Sequence, residues 1–172
     1  MQHLQGDKAM LTKLLPDQIS NFWDIIKYAV EQSVPPIVGE HPNKMNNILS
    51  ACLNGSLDVW ASYVRGEDST KFEGIVLTEL LHDKSSQTNN LLIYCLYGYE
   101  KVDSQSWIAG LEAILKYADS LNCNQVIAYT DVAYLIEMAS RFGGDTRYTF
   151  VSFNVKRLLN NLTNLLGGLK NG

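Results

Sequence analysis

Three cysteines and three histidines are the side chains most suited to metal or nucleophilic chemistry, and their spacing favours neither. Cys52, Cys95 and Cys123 form no C-x-x-C pair and sit in apolar contexts such as LLIYCLY and SACLNG, so they read as buried free thiols. His3, His41 and His82 are scattered, without H-E-x-x-H or Cys/His zinc spacing, and no structural metal is expected. Gly143-Gly144 is not part of a G-x-G-x-x-G, and neither a Walker pattern nor G-x-S-x-G occurs. The N-x-[ST] triplets at 54–56 and 161–163 are what an Asn-rich chain gives by chance. Any chemistry must therefore come from side chains that the fold brings together.

The chain supplies the material for such a fold. It has 172 residues, 46% of them hydrophobic and 19% charged, which suits a globular domain and not a disordered chain. No apolar run is long enough to span a membrane, and MQHLQGDKAM lacks the basic-then-apolar order of a signal peptide. Residues 1–140 carry 9 Lys/Arg against 17 Asp/Glu, whereas 141–172 carry 5 against 1. An acidic body repels phosphate backbones, so general nucleic-acid binding is not expected.

Apolar spacing predicts a helix over about 17–32, with Ile19, Phe22, Trp23, Ile26 and Ala29 on its stripe, and a second after His41-Pro42 that ends at Asn54-Gly55. From Leu57 the period becomes that of strands. LDVWASYVRGE, KFEGIVLTELLHD and NNLLIYCLYGYE predict three consecutive antiparallel strands. Asp103 or Ser104 then caps a helix to about 121, long enough to cross over to a parallel strand at QVIAYTD. VAYLIEMASRFGG predicts a helix stopped by glycines, and TRYTFVSFNV a final strand. The domain reading is one unit over 1–154 followed by a helical tail, 155–172.

This order, together with the strand–helix–glycine stretch CNQVIAYTDVAYLIEMASRFGG, resembles the acyl-CoA N-acyltransferase (GNAT) superfamily over roughly residues 10–155. The resemblance implies an α/β (α+β) fold with a mixed, mostly antiparallel central sheet flanked by helices, here with an added C-terminal amphipathic helix. It implies that the strand at 91–97, including Tyr97, holds the pantetheine arm of acetyl-CoA or CoA by backbone hydrogen bonds. It also implies a pyrophosphate loop of pattern [QR]-x-x-G-x-[GA] at a helix start. The matching stretch offers Ser104, Gln105 and Ser106, but reads Q-x-x-I-x-G, and Glu100 and Asp103 stand where a polyanion would arrive. The family's general acid, a Tyr four residues before the helix-ending glycine, falls on Ala139 or Ser140. A family-like base would be a strand carboxylate, Glu79 or Glu73.

The tail carries the other signal. Leu158, Leu162, Leu165 and Leu169 recur at steps of 3 and 4, widened by Leu166, which describes a helix seeking a partner or its own domain. A degenerate cofactor loop beside an apolar tail leads to the expectation of a structural or interaction subunit that forms a homo-oligomer or joins an assembly through this helix and needs no cofactor. The resemblance to GNAT-like virion and internal proteins of tailed bacteriophages places it in a virion or host cytoplasm, and otherwise in the cytoplasm. An acyl-CoA-dependent N-acyltransferase is the alternative, and a small-molecule sensor the third reading.

Overall fold

A computed structural model describes residues 6–170, apart from the side chains of Thr163, Leu165, Leu169 and Lys170. The chain divides into two compact units between Thr130 and Asp131. In the first, the strand-period segments pair into one five-stranded sheet, in the order β1 (Lys8–Lys13), β2 (Asp58–Arg65), β3 (Thr70–Asp83), β4 (Thr88–Gly98) and β5 (Cys123–Ala128). The first three pairings are antiparallel and β4–β5 is parallel. Parallel neighbours need a long crossover, and helix α4 (Ser104–Ser120) supplies it, as the sequence predicts.

Period-2 alternation sends apolar side chains to both faces of this sheet, and each face has its own cover. On one, helices α1 (Pro16–Asn21), α2 (Trp23–Ser33) and α3 (Lys44–Asn54) bury Ile26, Val30 and Ile48 against Val59, Leu77 and Cys95. On the other, Ile114 and Ala118 of α4 meet Trp60, Val76 and Leu91. Each large side chain buried this way contributes roughly 1.5–3 kcal/mol. Local signals fix the helix ends. Gln18 accepts the Leu15 N–H at 2.8 Å, Gly55 ends α3 at φ 82°, and the Asp103 carboxylate accepts the Ser106 N–H at 2.9 Å.

Three expectations need correction. The chain is led by a strand, β1, as well as by helices; its six residues KAMLTK hold only a three-residue apolar run between lysines, too short to show an alternation. The helix expected over 17–32 is two helices, divided at Phe22, whose φ −107° and ψ 17° leave the helical basin, and both bury apolar residues in the same core. The strand expected at TRYTFVSFNV does not form: residues 144–154 carry no regular structure. Alternating aromatics favour a strand only where a neighbouring strand completes the ladder, and none pairs there among the described residues.

The second unit holds helices α5 (Ala133–Arg141) and α6 (Val155–Lys170). Asn154 caps α6 by accepting the Arg157 N–H at 2.9 Å. Leu158 and Leu166 are exposed and Leu162 is half-buried, while the side chains of Leu165 and Leu169 lie outside the described residues.

Candidate active site

The sheet forks at β4. Its pairing with β3 continues to Gly98, opposite Gly74, but its pairing with β5 stops at Ile93, opposite Ala128. Residues Tyr94–Gly98 thus have one strand neighbour, and no strand pairs with their other side among the described residues. The fork begins at a bulge: Leu77 faces Cys95 and Thr78 faces Ile93, so Tyr94 is the extra residue. Tyr99 donates its N–H to the Glu73 carbonyl at 2.9 Å. Antiparallel alternation then turns the N–H and C=O of Gly98 and Leu96 away from β3, toward the free edge. Gly74 permits the close approach that fixes this geometry, since a Cβ there would lie 2.4 Å from the Tyr97 carbonyl oxygen.

Beside the bulge, on the α1–α3 face, is an open cleft of about 300 Å3. Ile48, Ala51 and Leu57 form its apolar floor, and Glu79 and Tyr94 bring a carboxyl and a phenol to it. Burial pushes the Glu79 carboxyl above the usual carboxylate range. Burial also pushes the Tyr94 phenol up, to about 12, with the charges of Cys95 and Glu79 adding to the effect, so Tyr94 stays protonated and able to donate. A carboxylate of raised basicity in a cleft is suited to take a proton from an incoming ammonium group.

Glu73 is placed differently. It bulges out of β3 opposite Ser62 and Tyr63, is 3% exposed, and accepts a hydrogen bond from the Ser62 hydroxyl at 3.3 Å. Ser62 shares its face of β2 with Trp60, on the α4 side of the sheet, so the two candidate carboxylates stand on opposite faces. Glu73 lines a separate polar cleft with Lys71, Lys101 and Asp103. At the start of α4, Ser104, Gln105 and Ser106 form the first turn; the Ser106 hydroxyl is buried with no hydrogen-bond partner among the described residues. Glu100 is paired with Lys71 at 2.7 Å, while the Asp103 carboxylate sits on the helix N-terminus. Tyr97 points its ring into an aromatic cluster, 5.7 Å from Tyr28 and 5.0 Å from Tyr99.

The structure therefore brings Glu79 to the fork and leaves Glu73 behind the sheet. Sequence reading missed Tyr94, His41 and Lys44, which share the Glu79 cleft. Tyr94 had a signal: a phenol in the apolar run LLIYCLY must direct its polar tip somewhere. Burial pushes the Cys52 and Cys95 thiols up to about 12, so neither is a thiolate nucleophile near neutral pH.

No family model matches the chain, and no curated protein matches its sequence. Solved structures do. A predicted acetyltransferase with acetyl-CoA from Clostridium acetobutylicum has a TM-score of 0.61 at 13% identity, covering 89% of this chain and 98% of its own. The aminoglycoside acetyltransferase AAC(6')-Iy, in complex with a CoA bisubstrate analogue, has a TM-score of 0.61 at 8% identity, covering 86% of this chain and 97% of its own. The fold is that of the GNAT acetyltransferases. An aminoglycoside acetyltransferase from an uncultured soil metagenomic sample, in complex with sisomicin, has a TM-score of 0.56 at 16% identity over 85% of this chain and 94% of its own. These likenesses overturn the expectation of a structural or virion subunit: the folds this chain shares are those of acetyltransferases, and none of the proteins named here is a virion component.

Proposed function

We propose that the protein is an acyl-CoA-dependent N-acyltransferase. The observation that carries this reading is the fork, which leaves the outward backbone groups of Leu96 and Gly98 beside a cleft holding Glu79. A pantetheine arm is an extended amide chain that can add to such an edge as a strand would. The donors at the start of α4 suit the phosphates: Ser106 has a buried hydroxyl with no hydrogen-bond partner among the described residues, and Ser104 and Gln105 stand in the same first turn. Asp103 opposes them, so the phosphate end is held less strongly than at an uncapped helix start.

Acyl-CoA, when bound, supplies the acyl thioester. Glu79 then accepts the proton that the acceptor nitrogen loses as its N–C bond forms and the C–S bond breaks, and Tyr94 supplies a hydrogen-bond donor in the same cleft. An ammonium acceptor loses two protons in all: one ends on the departing thiolate, so the free thiol and the N-acyl product leave together, and the other is returned to solvent.

The test is acetyl-CoA binding by calorimetry, paired with thiol release in the presence of primary amines. Micromolar binding and amine-dependent release are expected. Glu79→Gln should retain acetyl-CoA binding and lower kcat by roughly 10²–10⁴, whereas Glu73→Gln should leave kcat within about twofold of the unmodified chain, since it lies behind the sheet. No binding up to millimolar acetyl-CoA would remove the reading.

A further inference from the structure

The Glu79 cleft has a carboxyl at one end and, at the other, an ammonium that is ion-paired to a solvent-exposed carboxylate. Glu79 lies at the α3–β2 junction: its neighbour Thr78 pairs with Asp58, and Leu57 is tied to the end of α3 by its N–H to the Ala51 carbonyl at 3.0 Å. His41 and Lys44 line the same cleft at the opposite, N-terminal end of α3. Lys44 and Ala51 are separated by seven residues of helix, about 10 Å of rise.

The cationic end is built to donate. His41 Nδ1 accepts the Asn43 N–H at 3.1 Å, which leaves the ring proton on Nε2. The Lys44 side chain is 21% exposed, and its ammonium donates to both carboxylate oxygens of Glu40, at 2.9 and 3.0 Å. The Glu40 side chain is 89% exposed, so this is a solvent-screened pair that an entering anion displaces at little cost. The positive end of the α3 dipole adds to the same field.

We infer that the acceptor is a small primary amine carrying an anionic group several bonds away, an ω-amino carboxylate in chemical class, with its nitrogen at Glu79 and its carboxylate at Lys44 and His41. This rests on the acyltransferase reading for the reaction but not for the binding. It separates this cleft from one for a polycationic acceptor, whose second ammonium would meet Lys44 as a like charge.

The probes are 6-aminohexanoate, hexylamine and hexane-1,6-diamine, titrated by calorimetry into the full chain with and without CoA. The carboxylate should bind at least about tenfold more tightly than either amine. Lys44→Gln should bring the three within about threefold of each other and Lys44→Arg should restore the order, with circular dichroism checking that both variants fold. Equal or tighter binding of the amines, a preference that survives in Lys44→Gln, or no 6-aminohexanoate binding at millimolar concentration would each overturn the inference. A carboxylate preference without CoA binding would uphold it while removing the transferase reading; CoA binding and amine turnover without the preference would do the reverse.

Discussion

The two units of the chain differ in how they satisfy their apolar residues. Between Gly6 and Thr130, helices cover both faces of a sheet, and Ile26, Val59, Leu77 and Leu92 are fully buried. From Asp131 onward no described residue is buried, and Tyr148, Val151, Phe153 and Val155 are all more than two-thirds exposed. Alternation in the first unit is answered by neighbouring strands; the same alternation at 146–154 has no strand to answer it among the described residues. An apolar period gives a segment the capacity for structure, and a neighbouring surface decides whether it is used.

The sharpest way to break that contrast is to truncate one leucine in each unit. Leu77→Ala should cost about 2–5 kcal/mol, because it opens a cavity in a fully packed core. Leu159→Ala, at a position 61% exposed, should stay within about 0.5 kcal/mol. Urea unfolding measures both, and a loss above about 1.5 kcal/mol at Leu159 would show that this side chain is covered in solution. Next in size is Gly74→Ala, expected to cost about 1–3 kcal/mol, since the added carbon meets backbone at 2.4 Å and not a movable side chain. Acetyl-CoA affinity should fall in the same variant, because the displaced strand carries the free edge; calorimetry on the folded fraction reads this separately.

A smaller pair of changes separates capping from ligand binding at α4. Asp103→Ala should lower stability by about 1 kcal/mol through loss of the cap. Ser106→Ala should leave stability unchanged or slightly raised, because its hydroxyl is buried without a hydrogen-bond partner among the described residues. The smallest effect is the pH response of Glu79. Burial raises its carboxyl pKa above the ordinary 4.5, so between the unfolded and folded values the native chain binds more protons than the unfolded one. Its contribution to stability therefore falls as pH rises through that window. Urea midpoints at pH 4 and pH 7 should show Glu79→Gln gaining on the unmodified chain at the higher pH; an unchanged difference would show that the carboxyl is solvated in both states.

Much of the first unit is legible in its residues. The strands β3 and β4 and the helix α4 are long and strongly periodic, and Asp103, Gly55 and the turns between strands announce their ends. β1 is not, because six residues with a lysine at each end are too short for an alternation to stand out. At the site, Glu79 is visible only as one carboxylate among several. Its separation from Glu73 onto the opposite face depends on a bulge at Glu73, which reverses the side-chain parity of β3. The cleft is less visible still: His41 and Lys44 stand far along the chain from Glu79 and Tyr94, and only the packing of α3 on the sheet brings them together.

The pairing of β1 with β2 also sets a timetable. Lys8 waits for Arg65 and Lys13 for Trp60, with three helices between them. On a ribosome adding about 5–20 residues per second, roughly 50 intervening residues hold the first strand without its partner for roughly 3–10 s. A strand spelled KAMLTK can wait that long in water, where a run as apolar as LLIYCLY would find another nascent chain first.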